Sequence, residues 1–303
     1  NSEYNMMLII ITIGLFLMCS ANNLVIVYIG VELVSLPSYI LSGILKNDEK
    51  SNEASLKYVI FGSFASGLML FGISWLYGLA GSTDFSIIHR ELLVNSNPMM
   101  IYLTILLIMA GFGYKISMAP FHYWTPDVYE GSPTPVTAFF SVAPKAAGIA
   151  LILRFIYSIF TVKGSFGNTE FIQSISWPQI MAIISAVTMT MGNLLAIQQS
   201  NVKRMLAYSS IAHVGYMLMA FTVLSSDAIL AVLLYVFIYF FMNLAAFFFI
   251  VDVSNNTENS LLVGKNHREK TGKQNITGGE SNKLTTTINN ITGGSSNEIT
   301  DGS

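Results

Sequence analysis

Charge is what this sequence has least of. Asp, Glu, Lys and Arg make up 11% of its 303 residues, against about 25% in an average soluble domain. Cysteine is nearly absent too. Cys19 is the single one, so the chain can form neither an internal disulfide nor a multi-cysteine cluster, and in its apolar setting it reads as a small core residue. No Gly-rich phosphate loop, Cys/His metal spacing or Ser-His-Asp pattern occurs, which removes nucleotide hydrolysis, metal-site and triad chemistry from consideration. The net charge is −2 with no basic patch, so no nucleic-acid partner is expected. The chain opens on Asn1 rather than Met, which points to a fragment or processed form. Its first apolar run lacks the basic n-region and small-residue cleavage site of a signal peptide.

What is present is apolar sequence in long runs, 52% hydrophobic overall. A membrane-spanning helix needs about 20 mostly apolar residues. Eight stretches qualify: 5–21, 23–45, 55–80, 99–122, 134–158, 178–200, 204–226 and 228–251. The expected class is therefore an all-α polytopic membrane protein over residues 1–252, with the lipid bilayer as solvent. The few basic residues are spread over both sets of loops, so the positive-inside rule assigns no orientation. From residue 253 to 303 the chain turns rich in Asn, Thr, Gly and Ser and repeats Asn-Ile-Thr-Gly-Gly at 275–279 and 290–294. Such a segment buries too little apolar surface to offset chain entropy, and disorder is expected of it.

Against this background single charges stand out. Glu32 is the only ionisable residue besides Tyr between Asn23 and Leu45; Lys115 and Lys145 are the only charges over 99–119 and 134–153. A charge at mid-membrane costs about 2.5–3.5 kcal/mol on insertion scales, so each calls for a proton or ion relay, a buried pair or a substrate contact. Glu32 lies mid-run, five residues before Pro37. Lys115 follows Gly111 and Gly113 and precedes Pro120; Lys145 directly follows Pro144. Both lysines are thus expected at helix breaks, where freed backbone groups can be hydrated. Lys57 opens its helix and can either join the relay or snorkel to the interface. His122 and His213 are weaker candidates, each a proton shuttle or a hydrogen-bonded core residue. Lys203 and Arg204 are expected at the interface, and Asp127 and Glu130 as structural hydrogen-bonding groups between helices.

At these residues the sequence resembles a known family. Tyr28-Ile-Gly-Val-Glu-Leu-Val-Ser-Leu-Pro37, Glu53-Ala-Ser-Leu-Lys-Tyr58, the run from Ala119 to Lys145 containing His-Tyr-Trp-Thr-Pro-Asp-Val-Tyr-Glu-Gly, and Asn201–Tyr216 are similar to the N subunits of bacterial NADH:quinone oxidoreductase (respiratory complex I), counterparts of mitochondrial subunit 2. The resemblance covers about residues 5–251. It implies an antiporter-like bundle of inverted repeats with broken helices, one repeat complete and the second partial here. It implies proton translocation coupled to quinone reduction, with Glu32 and Lys115 as the working pair, Lys57 tuning them and Lys145 leading onward. NADH, FMN, iron–sulfur clusters and quinone are expected in other subunits of the complex, with none of these cofactors in this chain. Partners are the other membrane-arm subunits. A bacterial inner membrane is the expected location, a mitochondrial inner membrane the alternative. The family's early helices and the charged residue of its second broken helix are not found in the sequence. Two other readings stand beside this one: a subunit of a stand-alone cation/proton antiporter, against which the Trp-Thr-Pro-Asp-Val-Tyr-Glu-Gly run speaks, and a non-translocating structural remnant.

Overall fold

Short polar signals set where the apolar runs begin and end. Asn23 accepts from the Val25 amide, Asn97 from that of Met99 with Pro98 in the first helical position, and Asn201 from those of Lys203 and Arg204. Each satisfies amides that the first turn of a helix leaves free. Two helices end on left-handed residues, Gly81 and Ser117, both at φ 65°, which lets the amide of the capping residue turn back onto the last carbonyls.

The computed structural model describes residues 2–94, 97–163, 169–171, 177–223 and 225–276. The order is α1 (Ser2–Ser20), α2 (Leu24–Ser42), α3 (Glu49–Ala80), α4 (Phe85–Val94), α5 (Pro98–Ile116), α6 (Trp124–Gly131), α7 (Thr134–Phe160), β1 (Thr161–Lys163), β2 (Thr169–Phe171), α8 (Trp177–Ile197), α9 (Val202–Met219) and α10 (Ser226–Ile276). Among the described residues eight helices are long and apolar enough to cross a membrane, and they coincide with the eight expected stretches. The all-α expectation has one small exception, the antiparallel pair β1–β2 in the register Thr161↔Phe171. The chain divides into two units, Asn1–Phe247 and Phe248–Ser303, and the candidate site lies wholly in the first. Helix α10 runs on to Ile276, whereas residues 277–303, the greater part of the expected disordered tail, lie outside the described residues.

Two expectations about helix breaks need correction, those at Pro144 and Pro120. Pro144 does not break α7 but lies inside a continuous helix, as Pro37 does in α2. A proline removes one ladder bond, and neighbouring hydroxyls can satisfy nearby carbonyls at membrane depth. Ser35 and Ser38 do so around Pro37 by donating to Val31 O and Val34 O, and Tyr239 on α10 donates to Ser141 O near Pro144. The break beside Lys115 is real, but it comes earlier than Pro120. Helix α5 stops at Ile116, Ser117 turns left-handed, and the Met118 amide reaches back to Gly113 O at 2.7 Å. Ala119, as the residue before a proline, is biased against resuming the helix.

Candidate functional site

The broken segment is held by aromatic and hydroxyl side chains. Trp124 Nε1 donates to Tyr114 O at 3.0 Å, and Tyr114 OH to Tyr58 O at 2.8 Å. The Tyr58 and Trp124 rings stack with centroids 4.5 Å apart. Thr125 donates to Ser117 Oγ, and Thr188 of α8 accepts from the Ala119 amide. Polar backbone freed by the break is thereby paired inside the bundle, the condition for irregular chain at membrane depth.

Lys115, on the last turn before the break, is 2% exposed and donates from Nζ to Ser35 Oγ of α2 at 2.9 Å. Glu32 lies three residues before Ser35, one helical turn away on the same face. Its Oε1 is buried without a hydrogen-bond partner. Among the described residues no ion pair within 4 Å joins Lys115 to Glu32. The two groups expected to work together are neighbours, with the amine resting on the serine. Lys145 of α7 is 1% exposed, donates to Ser210 Oγ of α9 at 2.6 Å and lies 5.5 Å above the Tyr129 ring. Three residues further along α7 is Gly148, where a Cβ would meet the Ile116 side chain and come within 4.0 Å of the Lys115 stem. The two lysine-bearing helices therefore pass each other in close contact at these residues.

The histidines differ. His213 Nδ1 is 2.7 Å from Tyr235 OH and is ringed by Tyr216, Tyr235 and Tyr239. His122 is 2% exposed, stacks on Tyr123, and has neither ring nitrogen hydrogen-bonded.

Lys57 stands apart from Glu32 and Lys115 contacts and anchors an ion-pair network at the α3 N-terminal end. Its Nζ lies 2.6 Å from both Glu53 and Asp127; Arg204 bridges Asp127 at 2.5 Å and Glu130 at 3.1 Å; Lys50 meets Glu130 at 2.8 Å. Lys50, Glu53, Ala54, Asp127, Glu130, Gly131 and Arg204 line a cleft between α3, α6 and α9. Burial raises the Asp127 carboxyl, but the hydrogen bonds and charges of Lys57 and Arg204 outweigh it and leave the pKa below the usual carboxylate value. The hydrogen bond from Lys50 likewise holds Glu130 low. Sequence reasoning missed this network, and it missed Ser35 and Ser210. The Glu53/Lys57 spacing of four and the Asp127/Glu130 spacing of three are legible as shared helix faces. Contacts such as Lys57–Asp127, seventy residues apart, carry no local signal. Arg204, the third residue after the Asn201 cap, joins this network through Asp127 and Glu130. Among the described residues, no group of three His, Cys, Asp or Glu side chains could hold a metal ion.

Comparison with known proteins agrees with this architecture. Residues 21–268 match the family described as NADH:quinone oxidoreductase/Mrp antiporter, TM. NADH-quinone oxidoreductase subunit N of Anaeromyxobacter sp. (strain Fw109-5) is 45% identical over 266 residues, 84% of this chain and 51% of the relative. Among solved structures, a chain of respiratory complex I from Thermus thermophilus with bound aureothin is 32% identical with a TM-score of 0.65, over 80% of this chain and 51% of that one. A chain of the Mrp complex from Dietzia sp. DQ12-45-1b shares the fold at a TM-score of 0.73 and 21% identity, over 85% of this chain and 27% of that one. The chain spans about half the length of the curated relatives it matches. With eight spanning helices, a helix broken beside a buried lysine and a family match over most of its length, the chain belongs to the NADH:quinone oxidoreductase/Mrp antiporter transmembrane family.

Proposed function

We propose that this chain is a proton-translocating membrane-arm subunit of a bacterial NADH:quinone oxidoreductase, located in the inner membrane. The observation that carries the reading is the pair of lysines buried to 2% or less inside the bundle on touching helices, each donating to a serine hydroxyl. A static buried charge is ordinarily paired with its counter-ion, because desolvation otherwise goes uncompensated. Here Glu32 lies a turn along α2 from the serine that holds the amine, so the ion pair can form and part as the helices shift. Forming it favours a charged lysine and parting it favours proton release, which is the requirement for coupling proton movement to a conformational change. Lys115 would pass protons toward Lys145, and Lys145 onward along the membrane arm. Lys57 acts through Asp127, at one end of the bundle. His213 and His122 are the secondary carriers. The redox chemistry, with NADH, FMN, iron–sulfur clusters and quinone, belongs in this reading to partner subunits.

The names of the relatives support complex I over a stand-alone antiporter, since the Mrp likeness bears on fold alone. The test is NADH-driven proton pumping by the complex containing this chain, reconstituted in vesicles. Lys115→Ala and Lys145→Ala should each abolish most pumping while leaving NADH oxidation by a water-soluble artificial acceptor intact. Pumping unchanged in both variants would reduce the chain to a structural role.

A further inference from the structure

The two buried lysines share a device that the relay reading does not itself contain. A serine hydroxyl has one proton to donate and two lone pairs with which to accept. Ser35 Oγ gives its proton to Val31 O at 2.7 Å, so it meets Lys115 Nζ, at 2.9 Å, with lone pairs alone. Ser210 Oγ gives its proton to Ala207 O at 2.7 Å and meets Lys145 Nζ, at 2.6 Å, in the same way. The serines lie on different helices, α2 and α9, and reach back four residues in one case and three in the other. Both arrive at an acceptor aimed at an amine. Both are 1% exposed. At Ser210 helix stability does not call for the hydroxyl, since one bonded to its own preceding turn is neutral to slightly unfavourable there; at Ser35 the same bond also lies beside Pro37.

We propose that Ser35 and Ser210 are positioning residues: each fixes a lysine amine at a neutral acceptor, from which it can move to or from a charged partner. This rests on the reading of Lys115 and Lys145 as proton carriers. At Ser35 the consequence is specific. The hydroxyl and the unpartnered Glu32 Oε1 lie a turn apart on α2, so Lys115 has two resting places, one neutral and one charged. Removing the neutral one leaves the amine the carboxylate alone and turns a movable proton carrier into a static ion pair. At Ser210 no carboxylate waits among the described residues. Removing that hydroxyl takes away the hydrogen bond that fixes the Lys145 amine; the face of Tyr129, 5.5 Å away, attracts a cation but fixes no hydrogen-bond direction.

The experiment uses the complete complex in vesicles, with pumping driven by NADH and assembly read separately as NADH oxidation by a water-soluble acceptor. Ser35→Ala and Ser210→Ala should each lower the pumping rate by about tenfold, the change associated with loss of one hydrogen bond to a charged group. Assembly should be unchanged. Ser35→Thr and Ser210→Thr keep the hydroxyl and should restore pumping to within about twofold of the parent, since the conserved acceptor is what matters. Should an alanine variant assemble poorly, Ser35→Cys or Ser210→Cys fills the site with a slightly larger side chain, offers only a weak acceptor, and carries the same expected loss. Pumping at the parent level in the Ala or Cys variants, while Lys115→Ala and Lys145→Ala abolish it, overturns this inference and leaves the proposed function standing. Parent-level pumping in the lysine variants overturns both. Equal losses in the Ala, Cys and Thr variants show a packing role and overturn the inference alone.

Discussion

Asp127 is the residue on which the polar end of the bundle turns. It takes bonds from Lys57 on α3 and Arg204 on α9, and its side chain is 27% exposed, whereas Glu53, the other carboxylate on Lys57, is 61% exposed. Exposed pairs contribute little because water screens them, while removing a largely buried carboxylate takes one of two partners from each of two cations. Asp127→Asn should therefore destabilise the detergent-solubilised protein by roughly 1–2 kcal/mol, and Glu53→Gln should leave the thermal midpoint within error. Acid titration adds a sign. The folded-state pKa values of Asp127 and Glu130 lie below their ordinary values, so their stabilisation is complete above the ordinary carboxylate range and is lost as pH falls through the folded values. The parent should lose stability as pH drops below about 4, and Asp127→Asn should lose less over the same range. At this scale the sequence was uneven in what it revealed. Glu32, Lys115 and Lys145 stand out in the sequence because a charge in an apolar run is costly and calls for a partner or a role. Ser35 and Ser210 do not, since a serine in an apolar helix looks the same whether or not a lysine lies across from it.

At the level of elements, the hydrophobic runs predicted the spanning helices well, because length and composition alone decide which segments can cross a bilayer. The short helices α4 and α6 escaped notice, since brief amphipathic pieces between spans lack a sustained period. Pro144 leaves α7 unbroken, since a proline removes one bond and Tyr239 supplies a donor nearby. Helix contacts were the least legible, as they depend on which small residues face a partner. Glycines 67 and 148 show the difference. A Cβ at Gly148 of α7 would lie 2.5 Å from Ile116 Cγ2 on α5, and Ile is branched and stiff at that position. A Cβ at Gly67 of α3 meets nothing within 4 Å. Gly148→Ala should cost about 1–3 kcal/mol through overpacking and displace the Lys115 helix from the Lys145 helix. Gly67→Ala should stabilise by about 0.5–1 kcal/mol, the helix-interior gain over glycine. Thermal unfolding of the two variants side by side checks both, and equal midpoints would mean that α5 and α7 do not touch as described.

For the molecule as a whole, polar groups collect at the two ends of the bundle and apolar side chains cover its waist. At the end opposite the ion network, Arg154 of α7 donates to Asn22 Oδ1 at 2.7 and 3.0 Å and to Cys19 O at 3.1 Å, closing the turn between α1 and α2. Between the ends, Phe16, Leu106, Phe237 and Phe241 are each more than half exposed. In a water-soluble protein so much exposed apolar surface would mark interfaces or aggregation; around a membrane bundle it is the surface that meets lipid. The two settings predict opposite outcomes for one substitution. Leu106 is 65% exposed near the middle of α5, while its neighbour Ile105 is 3% exposed. A charge at an exposed position in water changes stability by no more than about 0.5 kcal/mol. At the centre of a spanning helix Arg costs about 2.5–3.5 kcal/mol on insertion scales. Leu106→Arg should thus lower the carbonate-resistant membrane fraction of the expressed protein, whereas Leu106→Phe, apolar and lipid-compatible, should not. Leu93, 48% exposed on the short helix α4, lies outside the spans, and Leu93→Arg should be tolerated. If Leu106→Arg integrates as well as Leu93→Arg, the face that α5 turns outward does not meet lipid.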